Sequence, residues 1–118
     1  MVMVCTAPSS GLTGDNTPSC LSSRVMSDVL RSNLQFDGVI ITDTLSDLTD
    51  YSSADAAVQA IQAGADMINQ PADFEEAYNG VLSAVQNGTI SEDRIDESLR
   101  RIFRVKYSDK VKEISEGK

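Results

Sequence analysis

The sequence of 118 residues contains no histidine. Without an imidazole, the chain cannot by itself build Ser-His-Asp or Cys-His catalysis, nor a zinc site that uses histidine. Its two cysteines, Cys5 and Cys20, are too few for a disulfide scaffold and form no CxxC pair. We therefore expect both to be reduced, with Cys5 buried as a small hydrophobic side chain. Because histidine is absent, any catalytic group must be a carboxylate, thiol, hydroxyl, amine or guanidinium. We also expect no metal and no cofactor.

Positive charge is also scarce. Ten Lys and Arg residues face 18 Asp and Glu residues, for a net charge of -8 and a pI of about 4.3. A chain of this charge is repelled by a phosphate backbone and by an anionic membrane surface, so we expect neither nucleic acid nor a membrane as a partner. The N-terminus shows no basic segment and no apolar stretch long enough for a signal peptide or a membrane span. The default expectation is a cytoplasmic chain, or one whose native beginning lies upstream.

The length limits the fold. A complete (β/α)8 barrel usually needs about 250 residues, so this chain can hold only three or four strand-helix units. Hydrophobic residues make up 41% and charged residues 24%, which is close to the average of soluble globular domains. We expect one domain over residues 1–107, followed by a charged tail, residues 108–118, that lacks an apolar period.

The hydrophobic pattern predicts three short strands that alternate with helices. Apolar or β-branched runs predict strands at residues 1–5, 39–42 and 66–69. Capping residues and apolar spacing predict helices from Ser22 to Gln35, Ser53 to Gly64, Pro71 to Asn87 and Ser91 to Lys106. Polar loops fill residues 7–19 and 44–53. The succession strand, helix, strand, helix, strand, helix, helix implies an α/β fold with a parallel sheet and right-handed crossovers.

The same pattern predicts what each helix buries. Met67 and Tyr78 lie on apolar faces and are expected in the core, and four residues of the last helix are expected to face inward: Ile95, Leu99, Ile102 and Phe103. Three arginines of that helix, Arg100, Arg101 and Arg104, are expected to be solvated partners of the helix dipole. A three-stranded parallel sheet would leave two open edges, which implies missing upstream strands, self-association through the edges as a homo-oligomer, or a partner chain.

Reactive groups of parallel α/β folds gather at the carboxyl ends of the strands. Two segments of this chain follow strands in this way, Thr42-Asp43-Thr44 and Asn69-Gln70. Asp43 could serve there as a nucleophile, a general base or a ligand, or it could simply cap a turn. Asn69 after a strand is common turn chemistry.

Several segments resemble one family. They are Phe36-Asp37-Gly38-Val39-Ile40-Ile41-Thr42-Asp43, Ala63-Gly64-Ala65-Asp66-Met67-Ile68, Gly88-Thr89-Ile90-Ser91 and Arg94-Ile95-Asp96-Glu97-Ser98-Leu99-Arg100-Arg101-Ile102, with Pro18-Ser19 and Leu21-Ser22 ahead of a helix. In order and spacing the set is similar to glycoside hydrolase family 3, nearest its β-N-acetylhexosaminidase branch, over nearly all of residues 1–107. The resemblance implies a partial (β/α)8 barrel: strands six, seven and eight with their helices, about three parallel βα units plus a C-terminal helix.

The resemblance also implies a chemistry, retaining hydrolysis of a β-linked sugar, N-acetylglucosamine first, with Asp43 as the catalytic nucleophile. The family's acid/base is a His on an upstream loop or a Glu of a second domain, and neither is in this chain, so the chain alone is expected to be inactive. The chain departs from the family at Cys5-Thr6-Ala7, where a Ser-His pair is common, and at Asp47, where Met is common. The alternative is a non-catalytic half-barrel that oligomerises or completes a partner chain; a sugar-binding remnant is a third reading.

Overall fold

The fold is seen in a computed structural model that describes residues 1–8 and 10–107, apart from the side chain of Leu12. The expected tail at residues 108–118 lies outside the described residues. The strands and main helices are β1 (Val2–Val4), α1 (Arg24–Asn33), β2 (Ile40–Thr44), α2 (Ser53–Ala63), β3 (Met67–Asn69), α3 (Phe74–Gln86) and α4 (Glu92–Lys106). Their order confirms the succession expected from the sequence.

The three strands form one parallel sheet in the order β1, β2, β3. Met3 of β1 lies in register with Ile41 of β2, and Ile41 in turn with Met67 of β3. Strand β2 is central, and within the described part of the chain the outer edges of β1 and β3 have no strand beside them. The arrangement is the predicted set of three parallel βα units, with α4 added after the third.

Side-chain caps mark the starts of α2, α3 and α4, and two of these three starts differ from expectation. Ser91 caps α4 as predicted, since its side chain accepts a hydrogen bond from the Arg94 N–H. The cap of α2 is Ser52 rather than Ser53, and α3 begins after Asp73 rather than at Pro71. Both caps have extended backbone and a side-chain oxygen that accepts an N–H three residues on, which a proline ring cannot do.

The first helix is wound more widely than its sequence suggests. A short helical turn at Ser19–Leu21 precedes it, and α1 itself begins at Arg24 rather than at Ser22. Its N–H groups donate to the carbonyl five residues earlier, as in the bond of 2.9 Å from the Leu34 N–H to the Val29 carbonyl. The wider winding changes which side chains point to the core. Of the predicted apolar face only Met26 is fully buried, and Leu34 is 66% exposed.

The core lies between β2 and the helices α1 and α2. Its largest fully buried side chains include Ile40 and Met26, and the small side chains of Ala56 and Ala60 let α2 approach them closely. The contact between α2 and α3 is closer still, because a Cβ placed on Gly80 would lie 2.6 Å from the Cβ of Ala54. Alanine and glycine therefore set how closely this helical layer packs.

Several residues expected in the core are exposed instead. Tyr78 is 60% exposed, Phe103 49%, Leu99 40% and Met67 38%. The helical period was correct, but apolar spacing shows only which face of a helix is hydrophobic and not what covers it. Cys5, expected to be buried, is exposed at the end of β1. The uncovered apolar side chains mark a fold whose strands and helices lack neighbours on one side.

Candidate active site at the carboxyl ends of the strands

Asp43 occupies the carboxyl end of the central strand. Along β2, Ile40 and Thr42 are fully buried, while Ile41 and Asp43 alternate with them and are half-buried. Because successive side chains of a strand point to opposite faces, Asp43 lies on the sheet face opposite the helices that bury Thr42. One carboxylate oxygen of Asp43 accepts the Thr44 N–H at 2.8 Å. The other has no hydrogen bond among the described residues, so the group is both held and accessible.

The neighbouring strand end is fastened by Thr42. Its hydroxyl oxygen accepts the N–H of Asn69 at 3.0 Å, where the register between β2 and β3 shifts. The carbonyl of Gln70 accepts the Ser46 N–H at 3.0 Å, which ties the loop after β2 to the end of β3. Asn69 is the last residue of β3 and is held by its backbone N–H, so both strand ends are fixed beside Asp43.

The two cysteines lie near this carboxylate. The Cys20 N–H donates to the Cys5 carbonyl at 3.0 Å, which brings the loop after β1 back against the strand end. Burial raises the pKa of the Cys20 thiol to about 11, and the charges of Cys5 and Asp43 add to the rise. Both cysteines are free, as expected. Cys20 is therefore a protonated, inert thiol at neutral pH, and it serves packing rather than chemistry.

A polar groove of about 470 Å³ lies between the loops that follow β1 and β2. Asn16 and Pro18 line one wall, and residues 47–51, with two carboxylates and the ring of Tyr51, line the other. A short helical turn at Leu45–Asp47 starts directly after β2 and carries Asp47, which is exposed. The groove is of the size that small molecules occupy in proteins, and its groups can hydrogen-bond to hydroxyls.

At the opposite, amino ends of the strands lies a buried ionic cluster that the sequence did not predict. The carboxylate of Asp66 is 0% exposed and accepts hydrogen bonds from Arg31 at 2.6 Å and from Arg101 at 2.9 Å. The Ile40 N–H and the Ser98 hydroxyl complete its shell. Arg101 is therefore not the solvated dipole partner expected, because its side chain is only 13% exposed.

Arg94 strengthens this cluster from the first turn of α4. It donates to the carbonyls of Ile61 and Ala65, which closes the end of α2 onto α4. Burial alone would raise the pKa of Asp66, but the bonds from Ser98, Ile40 and Arg101 and the charge of Arg31 outweigh it, so the pKa is lowered from 3.8. In contrast, Arg104 forms a surface pair with Asp37 and is 61% exposed, as expected for a solvated cation.

A parallel sheet with a carboxylate at the carboxyl end of a strand and its structural ion pairs at the other end fits a (β/α)8 enzyme. The family model described as "Glycosyl hydrolase family 3 N terminal domain" matches residues 1–105. The chain belongs to glycosyl hydrolase family 3. Its three βα units are accordingly a part of that family's barrel domain.

Relatives with different names share this segment. A lysosomal beta glucosidase of Dictyostelium discoideum is 35% identical over 102 residues, and a beta-N-acetylglucosaminidase/beta-glucosidase of Cellulomonas fimi is 29% identical over 97 residues. Each alignment covers 80% of this chain, but only 12% and 17% of the two relatives. The chain thus spans less than a fifth of the length of these two relatives.

Solved family 3 structures agree with the fold described above. A family 3 beta-N-acetylglucosaminidase from Paenibacillus sp. str. FPU-7 superimposes with a TM-score of 0.76 at 37% identity, covering 82% of this chain and 20% of that one. A fungal multi-domain family 3 beta-N-acetylglucosaminidase gives a TM-score of 0.81 at 31% identity, covering 89% and 13%. Both superpositions support the α/β barrel-segment fold described above.

Residues 1–8 and 10–107 contain neither a membrane-spanning helix nor a cluster of metal-binding side chains. None of the helices in this part of the chain is long and apolar enough to cross a bilayer. The same residues hold no group of three or more Cys, Asp or Glu side chains placed to bind a metal ion.

Proposed function

We propose that this chain supplies the nucleophile of a retaining β-glycosidase, and that Asp43 is that nucleophile. The observation that carries the proposal is the position of Asp43: a held, accessible carboxylate at the carboxyl end of the central parallel strand of a family 3 barrel segment. The proposed substrate class is a terminal β-linked sugar, with N-acetylglucosamine first, because several relatives are named for that activity.

The reaction follows from the geometry that a retaining glycosidase requires. A carboxylate oxygen of Asp43 attacks the anomeric carbon, and the bond to the leaving oxygen breaks as that oxygen takes a proton from a general acid. Water then attacks the same carbon and gives its proton to the same acid/base group. The bond to Asp43 breaks, and the carboxylate is restored with the configuration of the sugar retained.

This chain contributes only part of that machinery. The second group must lie about 5 Å from the nucleophile and within hydrogen-bond reach of the leaving oxygen, and the chain contains no histidine to take this role. Asp47 and Asp50 lie on one loop that lines the groove, and both are exposed to water rather than enclosed as a catalytic acid usually is. We therefore infer that the acid/base comes from outside these residues and that the chain alone does not turn over glycosides.

A chimera tests the role of Asp43. Residues 1–105 replace the matching segment of the Cellulomonas fimi relative, and the purified chimera is incubated with a 2-deoxy-2-fluoro β-glucoside that carries a good leaving group. We expect one fluoro-sugar to be attached covalently to the peptide that contains Asp43, as measured by mass spectrometry. Asp43→Asn should abolish the adduct, while Asp55→Asn, on the exposed first turn of α2, should keep it. An adduct on another carboxylate would overturn the assignment.

A further inference from the structure

The turn that follows α3 carries a tripeptide that cells can modify. In Asn87-Gly88-Thr89, an asparagine is followed two residues later by a threonine, with a residue other than proline between them. This pattern is the acceptor sequence for N-linked glycosylation. The sequence contains five asparagines, and Asn87 is the one that fits the pattern. Whether the pattern can be used depends on the structure, because a transferring enzyme must reach the asparagine from outside.

The tripeptide is accessible from solvent. All three of its residues are exposed, whereas Ala84 before the turn and Ile90 after it are buried and anchor the turn to the fold. The φ of Gly88 is 84°, a left-handed conformation that ends α3 and turns the chain outward. A Cβ placed on Gly88 would meet no atom within 4 Å. An enzyme can therefore approach Asn87 without displacing a neighbouring helix or strand.

The side chain of Asn87 is held through its oxygen and not through its nitrogen. The Oδ1 atom accepts the Thr89 N–H at 3.0 Å and the Thr89 hydroxyl at 2.6 Å. The Gly88 N–H donates instead to the Val85 carbonyl at 3.2 Å, so it does not compete for Oδ1. Within the described residues the Nδ2 atom of Asn87 has no hydrogen-bond acceptor. The atom that would carry a glycan is therefore free, on a carboxamide whose orientation is fixed.

We propose that Asn87 is an acceptor site for an N-linked glycan. The co-reactant is an oligosaccharide carried on a lipid pyrophosphate, and a membrane-bound transferase supplies the base. The Nδ2 atom attacks the anomeric carbon of the first sugar and loses one proton to that base as the C–N bond forms. The bond between the anomeric carbon and the pyrophosphate oxygen breaks, and the lipid pyrophosphate leaves. The proposal concerns a different residue from the proposed nucleophile and does not depend on the role of Asp43.

A glycan at Asn87 would leave the candidate active site open. The helix of a βα unit returns the chain from the carboxyl ends of the strands to their amino ends. The contacts agree, because Arg94, in the first turn of the next helix, donates to the Ala65 carbonyl just before β3 at 2.8 Å. Asp43 and the polar groove lie at the opposite ends of the strands. Modification of Asn87 is therefore compatible with binding of a sugar beside Asp43.

Transfer to the purified, folded chain tests the proposal. The chain is incubated in detergent with a lipid-linked oligosaccharide and a single-subunit eukaryotic oligosaccharyltransferase, and its peptides are analysed by mass spectrometry. We expect the peptide that contains Asn87 to gain the mass of one oligosaccharide, and to lose it on treatment with a peptide N-glycosidase. Thr89→Val, which removes the hydroxyl and keeps the shape, should abolish the gain, while Thr89→Ser should retain it.

A further variant separates the exposed turn from the tripeptide alone. Val81→Thr places a second Asn-Gly-Thr tripeptide at Asn79, which is also exposed but lies within α3. There the backbone is held by helical hydrogen bonds, and Gly80 packs so closely on α2 that an added Cβ would lie 2.6 Å from the Cβ of Ala54. We expect no oligosaccharide on Asn79 of this variant, while its Asn87 is modified as in the unaltered chain.

Two outcomes would overturn the proposal. One is a folded chain whose Asn87 stays unmodified, and the other is equal modification of Asn79 and Asn87 in the Val81→Thr variant, which would show that the turn confers nothing. Circular dichroism of each variant verifies that its helices are retained, so a change in transfer cannot be ascribed to unfolding. Covalent labelling of Asp43 in the chimera is measured on another peptide, so each result stands without the other.

Discussion

The substitution Asp66→Asn should lower the free energy of unfolding of this protein more than any substitution at its surface. The carboxylate is 0% exposed and receives hydrogen bonds from Arg31, Ile40, Ser98 and Arg101. Asparagine has nearly the same shape, but it replaces one acceptor oxygen by an NH2 group that faces donors. The substitution therefore removes acceptors without creating a cavity, so it isolates the electrostatic part of the interaction.

The magnitude follows from the number of donors left without an acceptor. One carboxylate oxygen binds Arg31 and the Ile40 N–H, and the other binds Ser98 and Arg101, so either orientation of the amide leaves two donors unpaired. Hydrogen bonds to charged groups contribute about 1.5–3 kcal/mol each, and breaking a buried ion pair costs about 3–5 kcal/mol. We expect a loss of about 3–5 kcal/mol, a large share of the stability of an ordinary domain.

The assay is urea denaturation followed by far-ultraviolet circular dichroism, with the free energy of unfolding extrapolated to water. The chain offers a matched control in Asp37→Asn, which removes the same charge from a pair with Arg104 whose side chains are 61% and 79% exposed. That surface pair should contribute about 0–1 kcal/mol. Equal losses of stability in the two variants would refute the expectation that the buried Asp66 cluster stabilises the fold more than the exposed pair does.

Three further predictions use other parts of the structure. The pKa of Asp66 in the folded chain is lowered from 3.8, so its contribution to stability is present above that pH and is lost as the pH falls through the lower folded pKa. The difference in unfolding free energy between wild type and Asp66→Asn should therefore shrink toward low pH in urea titrations at pH 2–7. The exposed thiol of Cys5 should react promptly with an aromatic disulfide reagent, whereas the buried thiol of Cys20, with a pKa of about 11, should react only in urea. Cys5→Ser should remove the prompt reaction, which is measured by absorbance. Gly80→Ala should lower the free energy of unfolding by about 1–3 kcal/mol, because the new Cβ would lie 2.6 Å from that of Ala54. Gly11→Ala, in open space, should change it by less than about 0.5 kcal/mol. Equal effects in the same urea assay would contradict the close packing of α2 and α3.

Local signals in the sequence predicted the order of the elements. The β-branched run before Asp43 indicated a central strand, and Gly64, with φ of 130°, ends α2 as a left-handed terminus should. Boundaries were less well determined, because Ser52 and Ser53 are equally good caps and only the backbone conformation selects the first. The position of Asp43 at a strand end was also predictable, since it follows from the element order alone.

Features that depend on distant residues could not be predicted. Asp66 is a single acid after a glycine and an alanine, and two of its arginines lie 35 residues before and after it, so no local pattern marked the cluster. The exposure of Tyr78 was missed for a similar reason, because periodicity identifies an apolar face without identifying its neighbour. The wide pitch of α1 has no sequence signal that we recognise.

The spread of the Asp66 cluster along the chain has a consequence for biosynthesis. Arg101 follows Asp66 by 35 residues, which a ribosome adds in about 2–7 s at ordinary elongation rates of about 5–20 residues per second. Until α4 has left the exit tunnel, Asp66 lacks two of its three arginines and stays hydrated rather than buried. The sheet can therefore close only after α4 has emerged, and a ribosome stalled before α4 should hold a nascent chain that proteases still cut.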